Sequence, residues 1–244
     1  MTSKEINRII LTIDIDWAPD FIIEEVATIL ISHNVKATWF VTHASSAIER
    51  LRQYPELFEL GIHPNFYPGS IHGTNEDEVM KFVKEIVPDA ISMRTHGLYH
   101  NANLLIKAHN HYGIEVDLSI FLPYTTNITP HRYRYGNLNK QLLRIPYFWE
   151  DDFDFYNPYP LWDINDDRLK TAGLKIINFH PIHIALNSNS CHAYESLKSS
   201  TAVSNCTPDD IGRFRNHGEG TATLFMQIVG AITGSGKMVK EFLE

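Results

Sequence analysis

Ile9-Ile10-Leu11-Thr12-Ile13-Asp14-Ile15-Asp16-Trp17 is the stretch that decides the fold. Its first five residues are apolar or β-branched, which is typical of a strand buried on both faces of a parallel sheet. Asp14 and Asp16 follow, and side chains two apart on a strand point to the same side. Buried carboxylates are costly unless something pairs with them, and a divalent cation is one such partner. The alternative, a strand that ends before two solvated acids, is disfavoured by the apolar residues Ile15 and Trp17.

Strand and helix patterns alternate along the rest of the chain. The seven predicted strands cover residues 9–13, 36–42, 59–63, 90–94, 114–120, 142–149 and 174–179. Segments with helical spacing or end signals lie between them, for example 21–33 and 101–112. This alternation predicts an α/β fold with a parallel sheet, closed as a seven-stranded (β/α) barrel. Such barrels keep their chemistry at the carboxyl ends of the strands.

Length and composition are those of a globular chain. The 244 residues predict one domain, 1–244, in which 187–219 form a loop excursion and 221–233 a closing helix. The formal net charge of −8 argues against nucleic acid or an anionic membrane as a partner. No apolar segment reaches the roughly 18 residues that span a membrane, and the polar residues 1–8 do not suit a signal peptide. These features predict a cytoplasmic protein without membrane insertion.

Acids, histidines and an arginine recur where the predicted strands end. They are Asp14, Asp16, His63, Arg94, His96, Glu150, Asp151 and His180. Because the carboxyl ends of barrel strands converge on one face, these side chains should meet there. A mixed set of carboxylates and imidazoles suits zinc or a similar divalent cation that keeps positions open for water and substrate. One histidine alone would more often be a surface or core residue, so the prediction depends on the recurrence.

The order of these motifs resembles the polysaccharide deacetylase family, also called carbohydrate esterase family 4 or the NodB-homology fold. The resemblance runs from about Arg8 to about Asn187. Five segments carry it, namely Thr12-Ile13-Asp14-Ile15-Asp16, Ala37-Thr38-Trp39-Phe40-Val41, Glu59-Leu60-Gly61-Ile62-His63, Arg94-Thr95-His96-Gly97 and Ile177-Asn178-Phe179-His180. The family implies a distorted seven-stranded (β/α) barrel and a metal-dependent hydrolase that acts on carbon–nitrogen bonds other than peptide bonds.

The resemblance also implies roles for individual residues. Asp14 would be the general base that takes a proton from metal-bound water, and Arg94 would hold it ionised. Asp16 and His63 would bind the metal, which lowers the pKa of the water and polarises the acyl oxygen. His180 would be the general acid for the departing amine. The metal is expected to be zinc, with iron, cobalt or manganese as alternatives.

Four further residues are expected at the substrate pocket, namely Trp17, His96, Trp149 and Asp151. Trp149 would supply an aromatic wall, and Asp151 would orient His180. The alternative is that Trp149 belongs to the core and that the acids after it lie in a solvated loop.

The chain departs from the family pattern at two places. The family has adjacent acids in its first motif, whereas Ile15 separates them here, so the two acids could exchange roles. The family also spaces its metal-binding histidines four apart, but Tyr67 stands four after His63. We therefore predict His72 as the third ligand, with His96 and then His183 as alternatives. His72 could also be a plain loop residue, since a loop of this length does not fix its geometry.

The predicted activity is removal of an N-acyl group, N-acetyl first of all, from an amino sugar or a sugar precursor. The substrate would be a carbohydrate or nucleotide sugar, and surface-polysaccharide synthesis is the expected setting by analogy. One alternative is a hydrolase of the same fold that cleaves a non-sugar amide. Another is a carbohydrate-binding relative that has lost the chemistry. The sequence predicts no oligomeric state.

Overall fold

The structure is a computed structural model that describes residues 1–134 and 141–244. In these residues a curled sheet of nine strands forms the centre of the fold, and its strands are parallel except at one edge. The strands are β1 Ile9–Asp14, β2 Ala37–Val41, β3 Phe58–Ile62, β4 Ser92–Met93, β5 Val116–Asp117, β6 His131–Tyr133, β7 Leu142–Arg144, β8 Trp149–Glu150 and β9 Lys175–Phe179. Their order in the sheet is β6-β7-β5-β4-β3-β2-β1-β9-β8. β1 therefore lies near the middle, between β2 and β9.

The α/β class and the mostly parallel sheet are confirmed, but the prediction of a closed barrel of seven strands was wrong, because nine strands form a curled sheet with β6 and β8 as its two edges. The predicted strand 142–149 is divided into β7 and β8, which pair with different neighbours. Pro146 lies between them, and proline cannot donate a ladder hydrogen bond. The other additional strand, β6, pairs antiparallel with β7 at the edge of the sheet. Its side chains are mostly exposed, so it lacks the apolar pattern of a buried strand.

Helices connect the strands and cover the sheet. They are α1 Ser3–Ile6, α2 Asp20–Ser32, α3 Ser46–Leu51, α4 Glu76–Ile86, α5 Ala102–Tyr112, α6 Asp151–Asp154, α7 Asp167–Lys170, α8 Pro181–Leu186, α9 Cys191–Ser200, α10 Pro208–Phe214 and α11 Thr221–Ala231. The predicted loop excursion 187–219 thus contains α9 and α10, and the predicted closing helix corresponds to α11. Within the described ranges, no helix combines the length and apolar character needed to cross a membrane.

Apolar burial fixes the position of β1 at the centre. All six of its residues are buried, and α2 covers it with side chains such as Ile23, Val26 and Leu30. Each fully buried aliphatic side chain of this size contributes roughly 1.5–3 kcal/mol relative to exposure. Because β1, β3, β4 and β9 are parallel, the chain leaves each of them at the same edge of the sheet.

Candidate functional site

Four chain segments meet at the carboxyl edge of the sheet, each at the end of a strand or directly after it. Asp14 is the last residue of β1, His63 follows β3, Arg94 follows β4 and His180 follows β9. All four side chains are buried. The structure therefore brings together these four residues, as the pattern of strand ends predicted.

Asp14 lies on the first strand, but Asp16 does not. Asp14 ends β1, whereas Asp16 and Trp17 have positive φ angles of 31° and 57° and form a turn. The turn is held because the Ala18 N–H donates to the Ile15 carbonyl at 2.8 Å. Positive φ is uncommon for residues other than glycine, and its cost is tolerated mainly at functional sites. The turn, rather than strand periodicity, directs Asp16 toward the site.

Asp16, His63 and His96 form a compact set of metal-type donor atoms. One donor from each residue lies within 4.8 Å of the other two. Oδ1 of Asp16 is 3.3 Å from Nε2 of His63, and Oδ2 of Asp16 is 3.5 Å from Nδ1 of His96. The two imidazole nitrogens are themselves 3.3 Å apart. Carboxylate oxygen and imidazole nitrogen at these separations suit a zinc-like cation.

The unsatisfied atoms of this set also fit a cation. Oδ1 of Asp16 is buried and has no hydrogen-bond partner in the described part of the chain. Burial alone would raise the pKa of the Asp16 carboxyl, but the imidazoles around it, chiefly that of His63, hold the pKa well below its usual range. An ionised carboxylate with one buried, unsatisfied oxygen is expected where a cation binds.

His72 lies outside that donor set. Its Nδ1 accepts a hydrogen bond from the Asn65 N–H at 3.0 Å, and its ring stacks on Phe82 with centroids 4.7 Å apart. These contacts make His72 an anchor of the loop between β3 and α4. The structure thus places His96, which the sequence left as an alternative ligand, closer to Asp16 and His63 than the expected ligand His72. His183 belongs instead to a second set of metal-type donor atoms, together with Asp151 and His180.

Asp14 is held by two side-chain donors. Oδ1 accepts a hydrogen bond from Nη1 of Arg94 at 2.9 Å, and Oδ2 accepts one from Nδ2 of Asn178 at 3.0 Å. Arg94 also donates to Oδ1 of Asn178 and, at 3.0 Å, to Oγ1 of Thr12. Sequence reasoning assigned no role to Asn178 or Thr12. Both are polar residues in buried strands two positions before a site residue, and that spacing was the available signal.

The guanidinium of Arg94 is fully buried between two aromatic rings. Its Cζ lies 4.7 Å from the ring centroid of Phe40 and 4.4 Å from that of Tyr147. A desolvated cation over aromatic faces is stabilised by the ring quadrupoles. The rings therefore fix the position from which Arg94 contacts Asp14.

His180 is oriented by Asp151. Nδ1 of His180 lies 2.6 Å from Oδ1 of Asp151, and the His180 backbone N–H donates to Oδ2 at 2.9 Å. Nε2 of His180 lies 3.5 Å from Oδ2 of Asp16. Burial alone would lower the pKa of His180, but the Asp151 carboxylate raises it well above the usual value. His180 is thereby held in its protonated form beside the donor set.

The remaining predicted pocket residues are placed differently from one another. Trp149 is fully buried, and its Nε1 donates to Oδ2 of Asp154 at 2.6 Å. It belongs to the core, which is the alternative that the sequence left open. Trp17 packs its ring edge to face with His96, with centroids 5.3 Å apart.

His183, an alternative metal ligand in the sequence prediction, lies beside His180, with ring centroids 5.7 Å apart. Burial lowers the pKa of His183 well below the usual value, so that its ring is neutral.

Two cavities open onto this centre. The first has a volume of about 320 Å³, and its lining includes Asp14, His63 and Arg94. The second has a volume of about 460 Å³ and extends to α6 and α9. Residues that line both are Asp16, His96, Glu150, Asp152 and His180. Asp14, the candidate metal donors and His180 thus line two adjoining cavities that offer room for a small acyl group.

The chain matches the model of a known family. The family model described as WbmS-like polysaccharide deacetylase matches residues 11–198. A solved structure from Bordetella bronchiseptica, assigned as a polysaccharide deacetylase involved in O-antigen biosynthesis, is 32% identical to this chain. The alignment covers 92% of this chain and 90% of that one, with a TM-score of 0.79. None of the curated proteins compared with the chain matches it.

Two further solved structures are more weakly similar to the chain. Peptidoglycan deacetylase PdaC from Bacillus subtilis is 14% identical, over 97% of this chain and 90% of that one, with a TM-score of 0.43. A pseudoenzyme of carbohydrate esterase family 4 from Bacillus anthracis is 14% identical, over 98% of this chain and 66% of that one, with a TM-score of 0.39. Likenesses with TM-scores below 0.5 are too weak to bear on function.

Proposed function

Because this chain belongs to the WbmS-like polysaccharide deacetylase family, we propose that it is a metal-dependent hydrolase of the N-acyl group of an amino sugar. The acyl group is N-acetyl in the first instance. The observation that supports this most is the position of the donor set, which has one member near each of the two proposed proton-transfer residues. His63 Nε2 lies 3.8 Å from Asp14 Oδ2, and His180 Nε2 lies 3.5 Å from Asp16 Oδ2.

Asp16, His63 and His96 are the residues that would hold the metal. A divalent cation there would supply Lewis acidity, which polarises an acyl oxygen and lowers the pKa of water. Zinc suits this mixture of one carboxylate and two imidazoles, and cobalt, iron and manganese are the alternatives. His96 takes the place that the sequence gave first to His72.

Asp14 acts as the general base in this proposal. It accepts the proton of the attacking water while Arg94 and Asn178 hold its two carboxylate oxygens. A positioned base within hydrogen-bond reach contributes on the order of 10²–10⁴ in rate. The buried guanidinium holds Asp14 in place at the cavity.

His180 acts as the general acid. Its protonated ring gives a proton to the nitrogen of the breaking amide bond, so that the product leaves as an amine. Asp151 binds Nδ1 of His180 and so keeps the proton to be donated on the opposite nitrogen, Nε2, which lies near the donor set. The water oxygen ends in the carboxylic acid product.

The biological setting that we propose is bacterial surface-polysaccharide synthesis. The support is the relative from Bordetella bronchiseptica, which is assigned to O-antigen biosynthesis and aligns over most of both chains. The candidate substrates in this setting are a nucleotide-linked amino sugar, a lipid-linked amino sugar and the assembled glycan.

The test is release of acetate from N-acetylated amino sugars and their oligomers, with and without a chelator and with zinc, cobalt or manganese restored. We expect turnover that is lost with chelation and regained with metal. Turnover of simple amides alone would favour the non-sugar hydrolase. Sugar binding without acetate release under any metal would overturn the proposed activity and favour the inactive binding relative.

A further inference from the structure

A second set of metal-type donor atoms lies beside the first, and the proposed function assigns no metal to it. We call it the second donor set. It consists of Asp151, His180 and His183, and one donor atom of each lies within 4.8 Å of the other two. All three side chains are buried. Like the first set, it combines one carboxylate with two imidazoles, the mixture that suits zinc.

His183 is a ligand that the proposed proton transfers leave unused. Its Nδ1 lies 3.2 Å from Oγ of Ser188, and this contact leaves Nε2 as the donor atom for a cation. Proteins commonly orient a histidine ligand by such a contact to its other ring nitrogen. The rings of Phe155 and Tyr194, each with its centroid 4.8 Å away, hold the imidazole in place. Burial lowers the pKa of His183, so the ring is neutral and has a lone pair to offer.

Asp151 and His180 are already as close as two ligands of one ion. Oδ1 of Asp151 lies 2.6 Å from Nδ1 of His180, and a tetrahedral zinc ion holds its ligand atoms roughly 3.3 Å apart. An entering ion has to break this hydrogen bond and displace the extra proton of His180 into solvent, since only a neutral imidazole binds metal. We therefore expect binding about ten- to a hundredfold weaker than at the first set, where Oδ1 of Asp16 has no such partner to lose.

The cavity of about 460 Å³ gives a cation access to the second donor set, because His180 and His183 both line it. Its lining contains no lysine or arginine among the described residues and carries four acidic side chains, those of Asp16, Glu150, Asp152 and Glu195. Burial, followed by the nearby Asp152, raises the pKa of Glu150 to about 8, so the attraction for cations does not depend on Glu150. A cavity whose charges have one sign concentrates ions of the other sign.

The carboxylate of Asp16 lies between the two sets. Its Oδ2 is 3.5 Å from Nδ1 of His96 and 3.5 Å from Nε2 of His180. A negative charge between two cations offsets their mutual repulsion. Occupation of the first set therefore does not exclude an ion from the second.

We propose that the second donor set binds an inhibitory divalent cation, zinc in the first instance. An ion held by His180 replaces the proton that this residue gives to the leaving amine, so hydrolysis stops when the second set fills. The chain is then active with one cation bound and inhibited with two. Inhibition rests on the proposed function, whereas binding of the second ion does not.

Zinc binding to the full-length protein, measured by calorimetry in a buffer without chelator, tests the site. We expect two equivalents in the wild type, the second about ten- to a hundredfold weaker. His183→Phe keeps a ring between Phe155 and Tyr194 but has no donor atom, and it should bind only the first equivalent. Ser188→Ala should weaken the second equivalent roughly tenfold, because it removes the group that orients a ligand. His111→Phe makes the same change at an exposed histidine and should bind both.

Acetate release measured against zinc concentration tests the inhibition. Wild-type activity should rise to a maximum with the first equivalent and fall at least about tenfold as the second binds, because the general acid is lost. In His183→Phe, activity at the higher zinc concentration should equal its own value at one equivalent. Each protein is compared with itself, so a change in basal activity does not affect the result.

A single equivalent in the wild type, even at millimolar zinc, would overturn the inference. So would a second equivalent that both His183→Phe and Ser188→Ala bind as tightly as the wild type. Circular dichroism shows whether His183→Phe is folded, and Ser188→Ala decides alone if it is not. Undiminished acetate release with two equivalents bound would overturn the inhibition. Two equivalents bound through His183, without acetate release at any zinc concentration, would overturn only the proposed activity.

Discussion

Asp151 binds His180 twice, once through the ring and once through the backbone. Oδ1 lies 2.6 Å from Nδ1, and Oδ2 accepts the backbone N–H at 2.9 Å. Both residues are buried, so this contact is little weakened by solvent. The pair fixes the rotation of the imidazole and favours its protonated form, which are the two properties that a general acid needs.

Asp151→Asn should therefore change the pH dependence of activity. Burial works to lower the pKa of His180, and the Asp151 carboxylate raises it above the usual value. Activity that needs protonated His180 falls as pH rises through that pKa. Without the carboxylate the pKa falls, so the alkaline limb of the kcat profile should move to lower pH, and kcat should fall by roughly two orders of magnitude. An unmoved alkaline limb would exclude His180 as the acid. Asp152→Asn is the control and should shift the limb less.

Asp14→Asn should abolish turnover and preserve metal binding. The change removes the proton acceptor but retains the shape of the side chain, so kcat should fall on the order of 10²–10⁴. Asp16→Asn, in contrast, should lose metal. Metal content and acetate release measured on both variants check this assignment. If Asp14→Asn kept its activity while Asp16→Asn kept metal but lost turnover, the roles of the two acids would be reversed.

Asn178→Asp should reduce activity without removing metal. The substitution keeps size but replaces the N–H donor at 3.0 Å from Asp14 with a second carboxylate. Two carboxylates this close do not both ionise easily. The new carboxylate at position 178 would therefore compete with Asp14 for the hydrogen bonds of Arg94, and the pair would tend to hold a proton. We expect at least a roughly tenfold loss of kcat near neutral pH. Asn189→Asp makes the same chemical change at an exposed position and should have little effect. Similar kcat values for the two variants would remove Asn178 from the site.

Gly61→Ala should lower stability and, through Phe40, activity. A Cβ at position 61 would lie 2.6 Å from Oγ of Ser92 and 2.8 Å from the Phe40 ring, on which Arg94 rests. Overpacking of this kind costs about 1–3 kcal/mol of the free energy of unfolding. Gly230→Ala is the matched control, since the added methyl there meets nothing within 4 Å and lies in α11. Urea unfolding that shows Gly61→Ala to be as stable as the control would contradict the expected crowding.

The sequence predicted the part of the centre that depends on parallel strands. The β-branched run before Asp14 is typical of a buried strand, and buried parallel strands end at one edge. His63, Arg94 and His180 follow such strands, so their convergence follows from local pattern alone. The α/β class follows from the same alternation of strands and helices.

Features that depend on turns and loops could not be predicted in this way. The direction of Asp16 results from positive φ angles at Asp16 and Trp17, which strand periodicity does not contain. The choice between His72 and His96 depends on how a nine-residue separation from His63 folds, and that is decided by contacts such as the stacking of His72 on Phe82. Pro146 was a sequence signal for the division of the predicted strand 142–149. Nothing in the sequence indicated with which strands its two parts would pair.

The metal content of protein purified without chelator tests the central claim most directly. Elemental analysis should find about one zinc, iron, cobalt or manganese per wild-type chain. His63→Ala and His96→Ala should lose the metal, whereas His72→Ala should keep it, as should His100→Ala at an exposed histidine. Circular dichroism confirms that each variant is folded. A wild-type chain that takes up no metal at micromolar concentration, or a metal kept by His96→Ala and lost by His72→Ala, would contradict the proposed centre.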